Sequence, residues 1–254
     1  DNRCTYLCSQ ILTKLTGQTV YDYLTPRLFE PLGCSGLWWE TRDGVNPGGW
    51  GLNLKTEDIA RFGQFLLNRG AWEGKQLLDP AWIDSAGSRL TENAGLSVYE
   101  WPDWEQGYGF QFWRCRHGAY RADGASGQLT VVLPECDMVV SINAGLRDMQ
   151  KELALIWDNL LPGVKDAPFV AGEALACLRR RIDALAIPPT AGGSAGLDGF
   201  LGKTYGFKSN HRGIESARFE RDGGNLVCVL KVPAGEQKIP VGVGEWKKGE
   251  MRFD

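Results

Sequence analysis

Histidine is almost missing from this chain, with His117 and His211 the two in 254 residues. No Cys-x-x-Cys pair accompanies them, so a structural zinc site is not expected. No apolar run approaches the roughly 18 residues that a membrane-spanning helix requires. Basic residues are not in excess either. The 28 Lys and Arg against 31 Asp and Glu leave a net charge of −3, which offers nucleic acid no electrostatic footprint. The chain has no phosphate-binding loop and no His-Glu-x-x-His motif, and its Gly-x-Ser-x-Gly match, Gly192 to Gly196, falls in a linker-like stretch rather than at a strand-to-helix elbow. The usual signatures of α/β-hydrolases, P-loop enzymes and zinc proteases are therefore missing. No lysine has a serine three positions before it, and neither histidine has an evident Ser or Asp partner.

What is present describes a globular protein, with 43% hydrophobic and 23% charged residues. The length suits one large domain, or one with a smaller companion. Ten tryptophans supply much apolar area and also suit pocket walls. Seven cysteines, odd in number and scattered, point to free buried thiols and to a cytoplasmic rather than periplasmic setting.

Periodicity places Tyr6, Leu7, Ile11, Leu12 and Leu15 on one helix over Thr5 to Leu15, with Gly17 as its stop. A second helix follows and is interrupted at Pro26. Trp38, Trp39 and Trp50 lie in a Gly-rich loop, where they either roof a pocket or pack in the core. Thr56 is the expected N-cap of a helix burying Ile59, Phe62 and Leu66. Asp79-Pro80 opens another helix, as N-cap followed by Pro at the first position. From Gly107 the pattern turns to strands, "GYGFQFWRC", "AYRADG", "QLTVVLPE" and "MVVSINAG", with a turn at Pro134 to Asp137. A helix from Asp148 to Leu161 closes this part, and another is expected near Gly172 to Leu185. The segment "IPPTAGGSAGLDG" reads as a linker. Short strands then recur through "KTYGFK", "ESARFER", "NLVCVLK", "KIPVGVGEW" and "GEMRFD". The expected fold class is α+β, an antiparallel sheet with flanking helices and a helical subdomain, plus a small C-terminal β module. The expected divisions are residues 1–165, a helix and linker over 166–197, and the module over 198–254.

Four stretches together carry a resemblance. "LTGQTVYDYLTPRLFEPLG", "GGWGLNLKTEDIARFGQFLLNRG", "GYGFQFW" and "ADGASGQ" resemble, in order and spacing, the penicillin-recognising serine hydrolases. The likeness runs from about Asn2 to Leu161. It is greatest to the class C β-lactamase-like branch, which includes esterases, D-aminopeptidases and DD-peptidases.

The resemblance implies three catalytic boxes. A Ser-x-x-Lys supplies nucleophile and base, because a hydroxyl attacks poorly until its proton has an acceptor. A Tyr-x-Asn handles a second proton, and Asn2 is either the tail of that box or a plain helix N-cap. A strand triad of Lys or His, Ser or Thr, then Gly lines the opposite wall and aligns with Ala122-Asp123-Gly124. Gly124 would let a substrate pair with the strand, and the Ala125 N–H would be an oxyanion donor. Tyr108 and Ser126 join Asp123 as expected substrate contacts. Ala122 and Asp123 depart from the triad, since one removes a cation and the other replaces a hydroxyl. Asp123 would repel a carboxylate and favour a neutral or amine-bearing substrate, or else it is a turn residue bonded to its own loop. Arg114, Arg116 and Arg121 either restore the missing positive charge or form a solvated outer face, and His117 reads as a strand or turn residue.

The implied function is an acyl-enzyme serine hydrolase acting on a small ester, amide or peptide, with no cofactor. The competing readings are a catalytically silent binding protein of the same fold and a C-terminal module that binds carbohydrate or peptide by itself. A further N-terminal segment of the same protein is expected to carry the nucleophile. Alone, these residues are expected to be inactive. No nucleic-acid partner and no membrane span are expected.

Overall fold

The computed structural model describes residues 2–96, 101–166, 172–190, 196–210, 212–223 and 225–251. Asp1, His211, much of the expected linker (191–195) and the end of the last expected strand (252–254) lie outside the described residues. The chain divides into two compact units, Asp1–Ala167 and Pro168–Asp254.

In the first unit, α1 (Asn2–Thr16) ends where Gly17 takes a left-handed φ of 71°. Its inward side buries Ser9, whose hydroxyl donates to the Asn46 carbonyl. The spacing of Leu7, Ile11 and Leu15 is helical as expected, yet all three are exposed. Gly48 and Gly49 let the chain approach this helix closely. A Cβ on Gly48 would lie 2.7 Å from the Thr5 carbonyl oxygen, and one on Gly49 3.1 Å from Asn2 Cβ. Asn46 ties the region together. Its Oδ1 accepts from Tyr21 N–H at 2.8 Å, and its Nδ2 donates to the Glu40 carbonyl and Thr41 hydroxyl. Neither Trp38 nor Trp50 enters the core. Both are exposed, Trp50 stacking on Tyr6 at 6.2 Å.

α2 (Val20–Leu24) runs into a wide π turn over Thr25–Phe29, where Pro26 has no N–H to give the preceding turn. α3 (Thr56–Leu67) starts one residue away from the expected cap. Lys55 occupies the cap without a side-chain bond, and the Thr56 hydroxyl accepts from Asn143 Nδ2 at 2.7 Å instead. α4 (Pro80–Ala86) has the expected cap, with Asp79 accepting from Ala81 N–H at 2.8 Å.

The sheet is an antiparallel meander of β1 (Trp113–Arg114), β2 (Tyr120–Gly124), β3 (Gln128–Leu133) and β4 (Met138–Asn143). The strand expected over residues 107–115 shrinks to two residues. Left-handed φ values at Gly107 (108°) and Gln111 (66°) bend its first part away. After the meander, α5 (Met149–Leu155) is capped by Asp148 and continues into a π turn over Ile156–Leu160.

Alternation along β3 divides the core between the two faces of the sheet. Leu129, Val131 and Leu133 meet Met149, Leu153, Ile156 and Trp157 on one face. Val132 and Tyr120 meet Leu32, Phe65, Leu66 and Ile83 on the other. α3 comes closest at Gly63. A Cβ there would lie 2.5 Å from Val139 Cγ1 and 2.6 Å from Thr130 Cγ2. Cys115 is the buried thiol, whereas Cys4, Cys8 and Cys177 are exposed, so burial is not the general rule that was expected.

The second unit holds α6 (Glu173–Asp183) and a four-stranded antiparallel sheet. Its strands are β5 (Thr204–Gly206), β6 (Ser216–Asp222), β7 (Asn225–Val232) and β8 (Gly235–Val241), in that spatial order. Residues 249–251 form no strand there.

Gly63→Ala separates two opposing effects. Helix propensity favours Ala by about 1 kcal/mol, whereas overpacking against two β-branched side chains costs about 1–3 kcal/mol. A net loss of stability is expected in urea unfolding, and Val139→Ala should relieve part of it.

Candidate active site

The β2–β3 hairpin carries the aligned strand residues. Gly124 pairs with Gln128, and the loop between them holds Ser126 and Gly127 at left-handed φ values of 71° and 93°. The loop is tethered from the far end of β4. Ala144 N–H donates to the Gly127 carbonyl and Leu146 N–H to the Ser126 carbonyl, each at 2.9 Å. Ala125 and Ser126 are exposed, and the Ala125 N–H donates to no group among the described residues.

β1 pairs only with Tyr120 and Arg121. The outer edge of Ala122–Gly124 therefore has no partner strand among the described residues, although its other edge is fully paired with β3. Gly124 is also required from within. A Cβ there would lie 2.7 Å from Gln128 Oε1 and 3.0 Å from Gln128 Cβ.

Behind the hairpin lies a polar cluster that corrects the expectation of a solvated arginine face. Arg121 has no exposed surface. Its Nε donates to Asp123 Oδ2 at 2.8 Å, while Nη1 donates to the Asp103 carbonyl at 2.8 Å and to Cys115 Sγ at 3.0 Å. The guanidinium lies 4.0 Å over the Trp104 ring. Arg116 reaches Asp103 with Nε and Nη2, and Arg114 donates to the carbonyls of Gly87 and Gly118. The physical reason is alternation: Arg121 and Asp123 sit two apart on one strand and so share a face, which here is covered.

Asp103 is the hub that the sequence did not disclose. Its carboxylate accepts from Arg116, from Gln150 Nε2 at 2.7 Å and from Trp157 Nε1 at 3.0 Å. Burial works to raise its pKa, but these bonds outweigh burial and hold the carboxyl below the usual range. Asp123 goes the other way, because burial raises it despite Arg121. Glu152, on α5, is buried with no hydrogen-bond partner for either oxygen among the described residues. It lies close under the hairpin, for a Cβ on Gly127 would fall 2.4 Å from its Oε1. Burial first, and the Asp123 charge second, push its carboxyl up.

The remaining site candidates separate. Tyr108 stands edge-on to Trp113 at 4.8 Å, and burial followed by the Asp123 charge raises its phenol. Its backbone forms isolated bridges to Thr91 and Trp113. Asn2 sits at the start of α1 against Gly49, with no contact to the hairpin among those described. His117 occupies a turn at φ 57°, its ring 5.0 Å from that of Trp157.

No family model and no curated protein matches the chain. Solved structures do. A candidate 6-aminohexanoate-dimer hydrolase from Bacillus anthracis superposes with a TM-score of 0.52 and 23% identity, over 64% of this chain and 42% of that one. That likeness is one of fold, to part of the hydrolase's chain. A penicillin-binding protein homologue from Pyrococcus abyssi, described as octameric, matches 94% of this chain and 54% of its own at 18% identity, TM-score 0.49. Another such homologue, from Caulobacter crescentus, covers 57% of this chain and 53% of its own at 20% identity, TM-score 0.43. The chain thus spans about two fifths to a little over half the length of these structures. No helix among the described residues is long and apolar enough to cross a membrane.

The two buried acids should respond oppositely to pH. Asp103 has a folded pKa below its unfolded value of about 3.9, so its stabilisation is complete above that value and is lost as pH falls through the folded one. Asp103→Asn should destabilise by about 1–3 kcal/mol at pH 7, because the buried carboxylate loses its charge-assisted bonds to Arg116, Gln150 and Trp157, while Arg116 itself is partly exposed. The deficit should shrink below about pH 4. Glu152 has a folded pKa above its unfolded value of about 4.3, so its ionisation destabilises the fold as pH rises. Glu152→Gln should therefore gain stability over the wild type at pH 7 and none near pH 4. Urea unfolding at the two pH values reads both effects, and parallel profiles would contradict them.

Proposed function

We propose that the first unit is part of a serine hydrolase that opens a small ester or amide through an acyl-enzyme. The nucleophile and its base come from residues outside these 254, since no Ser-x-x-Lys occurs among them. α1 and α2 contribute to the helical subdomain of that enzyme. The observation that carries this reading is the open edge of Ala122–Gly124, ending at an exposed Ala125 N–H without an acceptor.

An open strand edge can take up an extended acyl chain by main-chain hydrogen bonds. A substrate laid along β2 would bring its carbonyl oxygen to Ala125, whose N–H meets the charge that develops when the nucleophile adds. The second donor of that pair would be the nucleophile's own N–H. The tethers from Ala144 and Leu146 fix the hairpin in advance, so no reorganisation falls in the chemical step.

The wall also bears on substrate charge. Ala122 offers no cation, and the Asp123 charge is balanced by Arg121 at 2.8 Å. A neutral ester or amide suits that wall better than a free carboxylate. Tyr108 and Ser126 flank the edge as substrate contacts, and Asn2 is retained as the tail of the second catalytic box. The same Ala-Asp departure favours one competing reading, a protein of this fold that binds ligand without turning it over.

Fluorophosphonate labelling decides between them. The complete polypeptide should take one label on a serine of a Ser-x-x-Lys, and these 254 residues alone should take none. An unlabelled complete protein, or a labelled 254-residue chain, would refute the assignment. In the complete enzyme, Ala125→Pro removes one oxyanion donor and should lower kcat by about 10²–10³, with KM little changed.

A further inference from the structure

Away from the hairpin, the first unit contains a second concave site. Leu24, Leu28, Phe62, Phe65, Leu78 and Trp82 are among the residues that line a cavity of about 370 Å³. None of the hairpin residues lines it. The lining at Leu24 and Leu28 owes its shape to the sequence around Pro26. The π turn after α2 keeps Tyr23 beside Arg27 and Leu24 beside Leu28, each pair four residues apart on one face.

Two features distinguish this cavity from a packing defect. The first is its apolar rim, since Leu78 and Trp82 are exposed by 40% and 54%, and Trp82 stacks at 5.2 Å on Phe110, itself 46% exposed. Contiguous exposed apolar surface of this kind marks a binding site more often than scattered single residues do. The second is Arg27, which alone carries a charge among the lining residues. Its guanidinium lies 4.0 Å over the Tyr23 ring, and Nη1 donates to the Tyr23 carbonyl at 2.9 Å. No carboxylate among the described residues pairs with it. A guanidinium has five N–H donors, so an oriented set remains for a planar anion.

We propose that this cavity binds a small amphipathic carboxylate, with its hydrocarbon body among Leu24, Phe62 and Trp82 and its head on Arg27. The volume lies at the lower end of the range for small-molecule pockets, which suits a medium-length alkyl or aryl chain. The predominantly apolar lining supplies affinity, and the single cation sets orientation. This site does not depend on the hydrolase assignment and would exist on a catalytically silent protein equally.

Calorimetric titration of the 254-residue chain with decanoate, decanol and decyltrimethylammonium, all below micelle formation, tests it. Decanoate should bind with one-to-one stoichiometry and severalfold tighter than decanol, since its head pairs with a guanidinium that is itself exposed to solvent. The cation should bind weakest. Arg27→Gln should remove the advantage of decanoate while leaving decanol unchanged. Leu78→Trp should fill the mouth and abolish binding of both, with unchanged circular dichroism. Absence of decanoate binding, equal binding of the three probes, or binding that survives Leu78→Trp in a folded protein would each overturn the proposal.

Discussion

A guanidinium with no exposed surface fixes the end of the central strand on which the site depends. Removing a charge from water is expensive unless hydrogen bonds and an opposite charge replace the lost solvation. Arg121 meets most of that condition through Asp123, the Asp103 carbonyl, the Cys115 sulfur and the Trp104 ring, with Nη2 left without a hydrogen-bond partner among the described residues. Each partner is held in turn. The Asp103 carboxylate gathers Arg116 from the turn before β2 together with Gln150 and Trp157 from the chain after β4. Three segments distant in sequence therefore converge behind Ala122–Gly124, and none can shift without leaving a buried charge unmatched.

The consequences reach the outer side of the sheet. A strand anchored at Arg121 on its covered face can leave its edge open at the next three residues, because pairing with β1 is not needed to hold them. The hairpin loop beyond is clamped from β4 through Ser126 and Gly127, which leaves Ala125 as the exposed step with an unused N–H. Glu152 adds a countervailing element, an unmatched acid packed under the same loop. Stability is thus spread unevenly around the hairpin, with strong pairing behind the strand and a destabilised carboxyl beneath the turn.

Much of the first unit was legible in local pattern. The Asp79-Pro80 helix start, the Gly17 stop and the strand over Gln128–Leu133 are all decided by neighbours within a few residues, and the structure has them. The misreadings come from longer range. Three arginines within eight residues look like a solvated face, and only Asp103, Trp104 and Trp157, brought in by folding, make that region an interior. Thr56 looks like a cap until Asn143, 87 residues away, takes its hydroxyl. The stripe of Leu7, Ile11 and Leu15 shows that α1 is two-sided, but periodicity cannot say which side the rest of the molecule covers. Of the site, the order Ala122-Asp123-Gly124-Ala125 was visible, whereas its open edge depends on how short β1 turns out to be.

Amide hydrogen exchange compared between the wild type and Arg121→Met tests most directly whether the buried guanidinium holds the hairpin. The Gly127 amide, bonded to the Gly124 carbonyl, and the Ala144 amide, bonded to the Gly127 carbonyl, report the loop, while Val131 and Val132 report the sheet core. Exchange at Gly127 and Ala144 should accelerate by at least about tenfold relative to Val131 and Val132, the equivalent of roughly 1.4 kcal/mol of lost local stability. Unchanged protection at the two loop amides in a folded variant would contradict the claim.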